Sequence, residues 1–258
     1  MILLNPTYES MRAQLSNPAQ LMAHGKPIHR GRNELCLVTV DGILLCIKRY
    51  GVSNRFKQFI YRYLRAPKGL RAWQNTIKLR EVGFDSPEPI AYTQYNSLWG
   101  LRDSYYICRY ADGQTLYHWG DCDVENIKKD IVALAHFAAR MHEAGLLMLD
   151  FTPGNILRTK EGFTLVDTNR MRQGRISVRQ GLKNMAGLWL QPQAAELLAR
   201  TYVSARGEKQ LDGYSVLYAQ YRRSFWLRFV HRHHLQDVIV HHDLDGNQYS
   251  YHFNSTIR

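Results

Sequence analysis

From Val124 to Asp167 the order of residue types leaves little choice of local structure. Ile127, Ile131, Leu134, Ala138 and Met141 fall on one face of a long helix spanning Val124 to Glu143, and Gly145 ends it. The apolar runs Leu146 to Leu149 and Phe163 to Val166 read as short strands on either side of a loop. Three polar residues sit at fixed points on this frame. Asp150 follows the first strand, Asn155 comes five residues later, and Asp167 ends the second strand twelve residues beyond Asn155. A five-residue loop lets Asp150 and Asn155 face one cleft, and the hairpin returns Asp167 beside them.

That set of groups suits ATP-dependent phosphoryl transfer. In such chemistry a first Asp accepts the hydroxyl proton or orients the nucleophile, while an Asn amide oxygen and a second Asp hold Mg²⁺ against the phosphates. Asp150 is thus the candidate catalytic residue, and Asn155 and Asp167 are the candidate metal ligands. Asx side chains beside Pro153-Gly154 could instead cap the loop. The preceding helix, the Ile-Leu strand that follows and the Asp at the next strand end favour catalysis.

Upstream, Glu34 to Val40 and Ile43 to Arg49 are β-branched-rich runs separated by Asp41-Gly42, a pair that favours a tight hairpin turn. Lys48 lies on the second run, where a cation for the α- and β-phosphates is expected, which makes it both a catalytic and a nucleotide-binding candidate. Taken alone it would be an ordinary strand-end lysine. A second helix is predicted from Leu70 to Val82, ended by Gly83, followed by strands from Ile90 to Tyr95 and from Tyr105 to Tyr110. Ala111-Asp112-Gly113 reads as a turn between lobes.

Charge bears on the partner. The 258 residues carry 34 Lys+Arg against 22 Asp+Glu, a formal +12, which points to an anionic partner. Between Gly42 and Arg80 there are ten basic residues and no acid. Within that stretch Phe56, Phe59, Ile60, Tyr63 and Leu64 recur at helical spacing, which predicts a helix whose aromatic face packs on the core and whose basic side is solvated. An anionic membrane surface is a second candidate for the same helix. Nucleic acid is not expected, because no reader motif accompanies the charge.

With 45% hydrophobic residues the chain can bury a core, and no apolar run approaches the roughly 20 residues of a membrane-spanning helix. The N-terminal MILLNPTYES lacks the basic flank and long apolar segment of a secretory signal, so cytoplasmic residence is expected. Cys36, Cys46, Cys108 and Cys122 show no metal or disulfide spacing and read as reduced thiols.

Taken together, Gly31-Arg32-Asn33-Glu34, Ile47-Lys48-Arg49-Tyr50, Pro67-Lys68-Gly69-Leu70-Arg71-Ala72, Ser86-Pro87-Glu88-Pro89, His142-Glu143-Ala144-Gly145, Asp150-Phe151-Thr152-Pro153-Gly154-Asn155-Ile156-Leu157 and Val166-Asp167-Thr168-Asn169-Arg170-Met171 resemble the bacterial lipopolysaccharide core kinases, the Kdo/heptose kinase group of the protein-kinase-like superfamily. The resemblance spans roughly residues 25 to 190. It implies an α+β, bilobal protein-kinase-like fold, with a small β-rich N-lobe over 1–110 and a mainly helical C-lobe over 111–258. It also implies ATP and Mg²⁺ as cofactors, and phosphorylation of an inner-core sugar hydroxyl at the cytoplasmic membrane face. The partner is then a lipopolysaccharide precursor or another anionic saccharide.

Three departures keep other readings open. Where relatives place a Glu to pair with Lys48, this chain has Gln74, and Glu81 lies two turns further on. Met148 stands at the position of the usual His, and Leu149 at that of a basic residue. The glycine-rich loop reduces to Gly31-Arg32-Asn33, which leaves Gly31 and Asn33 as nucleotide-binding candidates. A pseudokinase that binds nucleotide or a partner without turnover, and a kinase acting on a protein or small molecule, are the alternatives.

The remaining features read as scaffold or surface. His231, His233, His234, His241 and His242 lack paired-ligand context, and Asp243 to Asn247 lacks the closing Glu of a calcium loop. The aromatic stripe from Tyr214 to Trp226 reads as core.

Overall fold

The computed structural model describes residues 1–31, 33–52 and 54–233. The histidines at 234, 241 and 242 and the segment 243–247 lie outside the described residues. The chain forms two compact units, one made of Met1–Gly113 with Thr164–Arg170 and the other of Gln114–Phe163 with the remainder.

The first unit is built on a six-stranded antiparallel sheet. In chain order its elements are β1 (Ile2–Leu4), the short helices α1 (Arg12–Leu15) and α2 (Pro18–His24), β2 (Lys26–His29), β3 (Asn33–Val40), β4 (Ile43–Gly51), α3 (Arg55–Tyr63), α4 (Lys68–Glu81), β5 (Pro89–Ser97) and β6 (Gly100–Arg109). The strands lie in the order β1-β5-β6-β4-β3-β2. The expected hairpin is the β3–β4 pair. Asp41 (φ 48°) and Gly42 (φ 78°) both adopt the left-handed conformation that a two-residue hairpin turn demands.

Alternation along β4 sends its residues to opposite faces. Leu45 and Ile47 are fully buried against Tyr8, Met11 and Leu15 of the N-terminal segment. Each such aliphatic side chain contributes about 1.5–3 kcal/mol by leaving water. Cys46 and Tyr50 turn to the other face, where Ala72 and Trp73 of α4 pack with Tyr92 and Tyr106. Lys48, two residues from each, shares that face.

The sequence reading passed over β1, α1, α2 and β2, because segments of three to seven residues leave too short a periodicity to read. It also began two elements late. α4 starts at Lys68, behind Pro67 at the cap, and β6 starts at Gly100, five residues before Tyr105.

The second unit is mainly helical. It comprises β7 (Gln114–Thr115), α5 (Val124–Glu143), β8 (Leu146–Met148), β9 (Ile156–Arg158), the start of β10 (Phe163–Leu165), β11 (Met171–Gln173), α6 (Val178–Met185), α7 (Pro192–Ala205) and α8 (Leu211–His233). The predicted α5 bounds match, with Asp123 capping its start and Gly145 (φ 73°) following its end. α5 packs on α7 and α7 on α8. Gly181 lets α6 approach Tyr202 so closely that a Cβ there would sit 1.8 Å from its hydroxyl oxygen. The α8 stripe is core, as expected: Tyr218 and Trp226 are buried, and the Tyr218 hydroxyl donates to the Met185 carbonyl at 3.0 Å.

Candidate active site

In the first unit, β4 and the segment Thr164–Arg170 bring Lys48 and Asp167 together. The Lys48 ammonium lies 2.6 Å from Asp167 Oδ1, on a side chain only 12% exposed, and 5.3 Å from the centre of the Tyr50 ring. Asn169 Nδ2 also donates to Asp167 Oδ1. Asp167 has φ 58°, a left-handed conformation unfavourable for most side chains but tolerated by Asp. Burial, and then the Asp167 charge, hold the Tyr50 phenol well above its ordinary range, so it stays neutral.

A relay of hydroxyls holds this segment in place. Tyr106 donates to Thr76 Oγ1 (3.1 Å), Thr76 to Thr168 Oγ1 (2.8 Å), and Thr168 to the Ala72 carbonyl (3.1 Å). Asn75 Nδ2 donates to the Thr168 carbonyl at 2.6 Å, and Ser86 Oγ to the Leu165 carbonyl at 2.7 Å. Fixed at Leu165 and Thr168, the backbone has little freedom to move Asp167 off Lys48. Sequence reasoning missed Asn75, Thr76 and Thr168. Thr76 left a readable trace, as a polar residue in the otherwise non-polar buried stripe Gly69, Ala72, Trp73, Thr76, Leu79.

Gln74, expected to meet Lys48, is exposed instead. The phase of α4 set by that stripe turns residue 74 outward and presents Asn75 and Thr76 to the Asp167 segment. Glu81 is the helix's one acid and pairs with Lys78 at 3.5 Å. Gly31 lies in the bend between β2 and β3, and Asn33 opens β3 opposite Tyr50.

In the second unit, β8 delivers Asp150 into a loop pinned by buried Phe151, Pro153 and Ile156. The Asp150 carbonyl accepts from Thr152 N and from Asn155 Nδ2, both at 2.9 Å. Asn155 thereby spends its amide nitrogen on the loop and keeps Oδ1 for another partner. Likewise the contacts of Asp167 fall on Oδ1, with Oδ2 outside them. Each residue thus offers a hard oxygen donor of the kind Mg²⁺ takes. Among the described residues no cluster of three or more His, Cys, Asp or Glu side chains forms a metal cage. Magnesium characteristically draws much of its coordination from phosphates and water, so it does not require such a cage.

Met148 is fully buried where a His was the family expectation, and a directional hydrogen-bond chain supports it. Arg206 donates to the Tyr202 hydroxyl oxygen (2.7 Å), and Tyr202 donates to His142 Nδ1 (2.9 Å). His142 Nε2–H donates to Asn184 Oδ1 (3.2 Å), and Asn184 Nδ2 to the Met148 carbonyl (2.8 Å). The chain requires a neutral imidazole, since Nδ1 must accept. Burial lowers the His142 pKa from 6.5 to about 4.

The unfolded state therefore binds a proton between about pH 6.5 and 4 that the folded state refuses. His142 contributes its full stabilisation above pH 6.5, and on the order of 3 kcal/mol of it is lost as pH falls through 4. Urea unfolding across that window should show the wild type losing this increment and His142→Gln not losing it. Equal pH slopes for the two proteins would refute the assignment.

Neither a protein-family model nor a curated protein matches the chain. A solved structure of WaaP in complex with acyl carrier protein is similar, at 18% identity over 87% of this chain and 97% of that chain, with a TM-score of 0.58. The likeness establishes the fold. It is protein-kinase-like, with a β-sheet N-terminal part and a mainly helical C-terminal part.

Proposed function

We propose that this protein is an ATP-dependent kinase that phosphorylates a sugar hydroxyl of the lipopolysaccharide inner core at the cytoplasmic membrane face. The observation that carries the reading is the 2.6 Å Lys48–Asp167 pair on a protein-kinase-like fold. Two residues 119 positions apart in the chain, the candidate phosphate-binding cation and a candidate metal ligand, meet at one place.

In this reading Lys48 neutralises the α- and β-phosphates, and the bend at Gly31 and Asn33 covers the nucleotide. Asn155 Oδ1 and Asp167 would hold Mg²⁺, which supplies charge neutralisation at the phosphate oxygens. Asp150 orients the sugar hydroxyl and accepts its proton as the oxygen bonds to the γ-phosphorus and the bond from that phosphorus to the β–γ bridging oxygen breaks, releasing ADP. The resemblance of seven sequence segments to the lipopolysaccharide core kinases supports the choice of acceptor.

The test is incubation of the protein with purified lipopolysaccharide precursors and γ-labelled ATP. Label is expected on the inner-core sugar and only in the presence of Mg²⁺. Transfer solely to protein or to a soluble metabolite would sink the lipid-sugar assignment.

One observation favours a second reading, a nucleotide-binding pseudokinase. α4 offers Lys48 no carboxylate, since its one acid pairs with Lys78. In that case cells carrying Asp150→Asn would keep the wild-type phenotype.

A further inference from the structure

Helix α3 sits on its unit with the face opposite to the one its sequence predicts. Gln58, on the polar side, is turned inward and buried. Its Nε2 donates to the Val52 carbonyl at 2.9 Å, and its Oε1 accepts from Ser97 Oγ at 2.6 Å. Gly100 (φ 134°) backs so closely onto the Gln58 main chain that a Cβ would lie 2.4 Å from the carbonyl oxygen. This polar anchor fixes the rotation of the helix. The stripe Phe56, Phe59 and Tyr63 consequently faces solvent, with Phe56 72% exposed, and Leu64 extends it.

The neighbouring β5–β6 turn continues the same surface. Leu98 is fully exposed and Trp99 largely so, and the Arg55 guanidinium lies 4.7 Å over the Trp99 ring. Six large apolar side chains are thus held in water by a helix and a turn that polar contacts lock in place. A patch of that size calls for an occupant. Exposed Arg55, Lys57, Arg65 and Arg102 stand around it, and residues 43–79 contain no acid to offset them.

We infer that the α3 face and the Leu98-Trp99 turn form a docking surface that seats in the headgroup region of an anionic bilayer. Aromatic and leucine side chains enter the acyl boundary while Arg and Lys meet the lipid phosphates, the division of labour of an interfacial amphipathic helix. Among the described residues no helix is long and apolar enough to cross a membrane, so attachment would be to the surface. The inference rests on the membrane-face part of the proposed function and names the residues that carry it.

The test is sedimentation of the full-length protein with vesicles of phosphatidylcholine alone or mixed with phosphatidylglycerol. The wild type is expected to partition onto the mixed vesicles. Phe56→Ser with Leu98→Ser should weaken partitioning about tenfold or more, as loss of two buried apolar side chains requires. Lys57→Glu with Arg65→Glu should abolish the preference for phosphatidylglycerol. These side chains are exposed, so thermal unfolding and Mg²⁺–ATP binding should stay at wild-type values.

Equal sedimentation of wild type and variants would overturn the surface. So would concentration-dependent self-association, or capture of an acidic carrier protein, that the same substitutions abolish while no vesicle binding occurs. Phosphorylation of delipidated core oligosaccharide without vesicle binding removes the surface and leaves the kinase. Vesicle binding without transfer to any saccharide removes the kinase and leaves the surface.

Discussion

Replacing Asp167 by asparagine is expected to reduce phosphoryl transfer roughly a thousandfold and to weaken Mg²⁺-dependent ATP binding. The substitution is nearly isosteric, so the contacts of Thr168 with α4 and of the Leu165 carbonyl with Ser86 survive. What disappears is one negative charge shared between the Lys48 ammonium 2.6 Å away and the proposed metal ion. The lysine then loses the charge partner that aims it, and the metal loses an anionic ligand. Nucleotide titrations with and without Mg²⁺ check both effects. Wild-type turnover in this variant would remove Asp167, and with it Lys48, from the proposed site.

Asp150→Asn should lower turnover by about 10² to 10⁴-fold, the range for loss of a positioned general base, while leaving Mg²⁺–ATP affinity close to wild type. The residue 150 carbonyl, which accepts from Thr152 N and Asn155 Nδ2, is unaffected by the side-chain change. The two variants therefore separate proton acceptance from metal holding. A fall in nucleotide affinity with Asp150→Asn would mean that the residue supports the loop, and undiminished turnover would deny it any role in the chemistry.

Legibility in the sequence followed the strength of local periodicity. α5 could be bounded to the residue because a twenty-residue apolar stripe ends in a positive-φ glycine, and the β3–β4 hairpin because Asp41-Gly42 satisfies its turn. Lys48 and Asp167 could be named from their strand ends. The α4 residues that meet the Asp167 segment could not, because the rotation of α4 depends on which stripe the sheet buries, and a shift of one residue exchanges Gln74 for Asn75. α3 was misread for a related reason. Its apolar periodicity is real, yet a single buried glutamine and a close-packed glycine decide which face meets the protein.

The segment Thr164–Arg170 packs with residues that precede it by some eighty positions or more, while the chain on both sides of it belongs to the other unit. The polypeptide accordingly passes between the units three times. A protein shortened to end at Gly113 would keep Lys48 but lack its carboxylate, and would leave the Thr76 and Ser86 hydroxyls without their acceptors. Neither half is a self-contained cassette, so recombination or domain grafting within this chain has to carry that seven-residue insert along with the sheet.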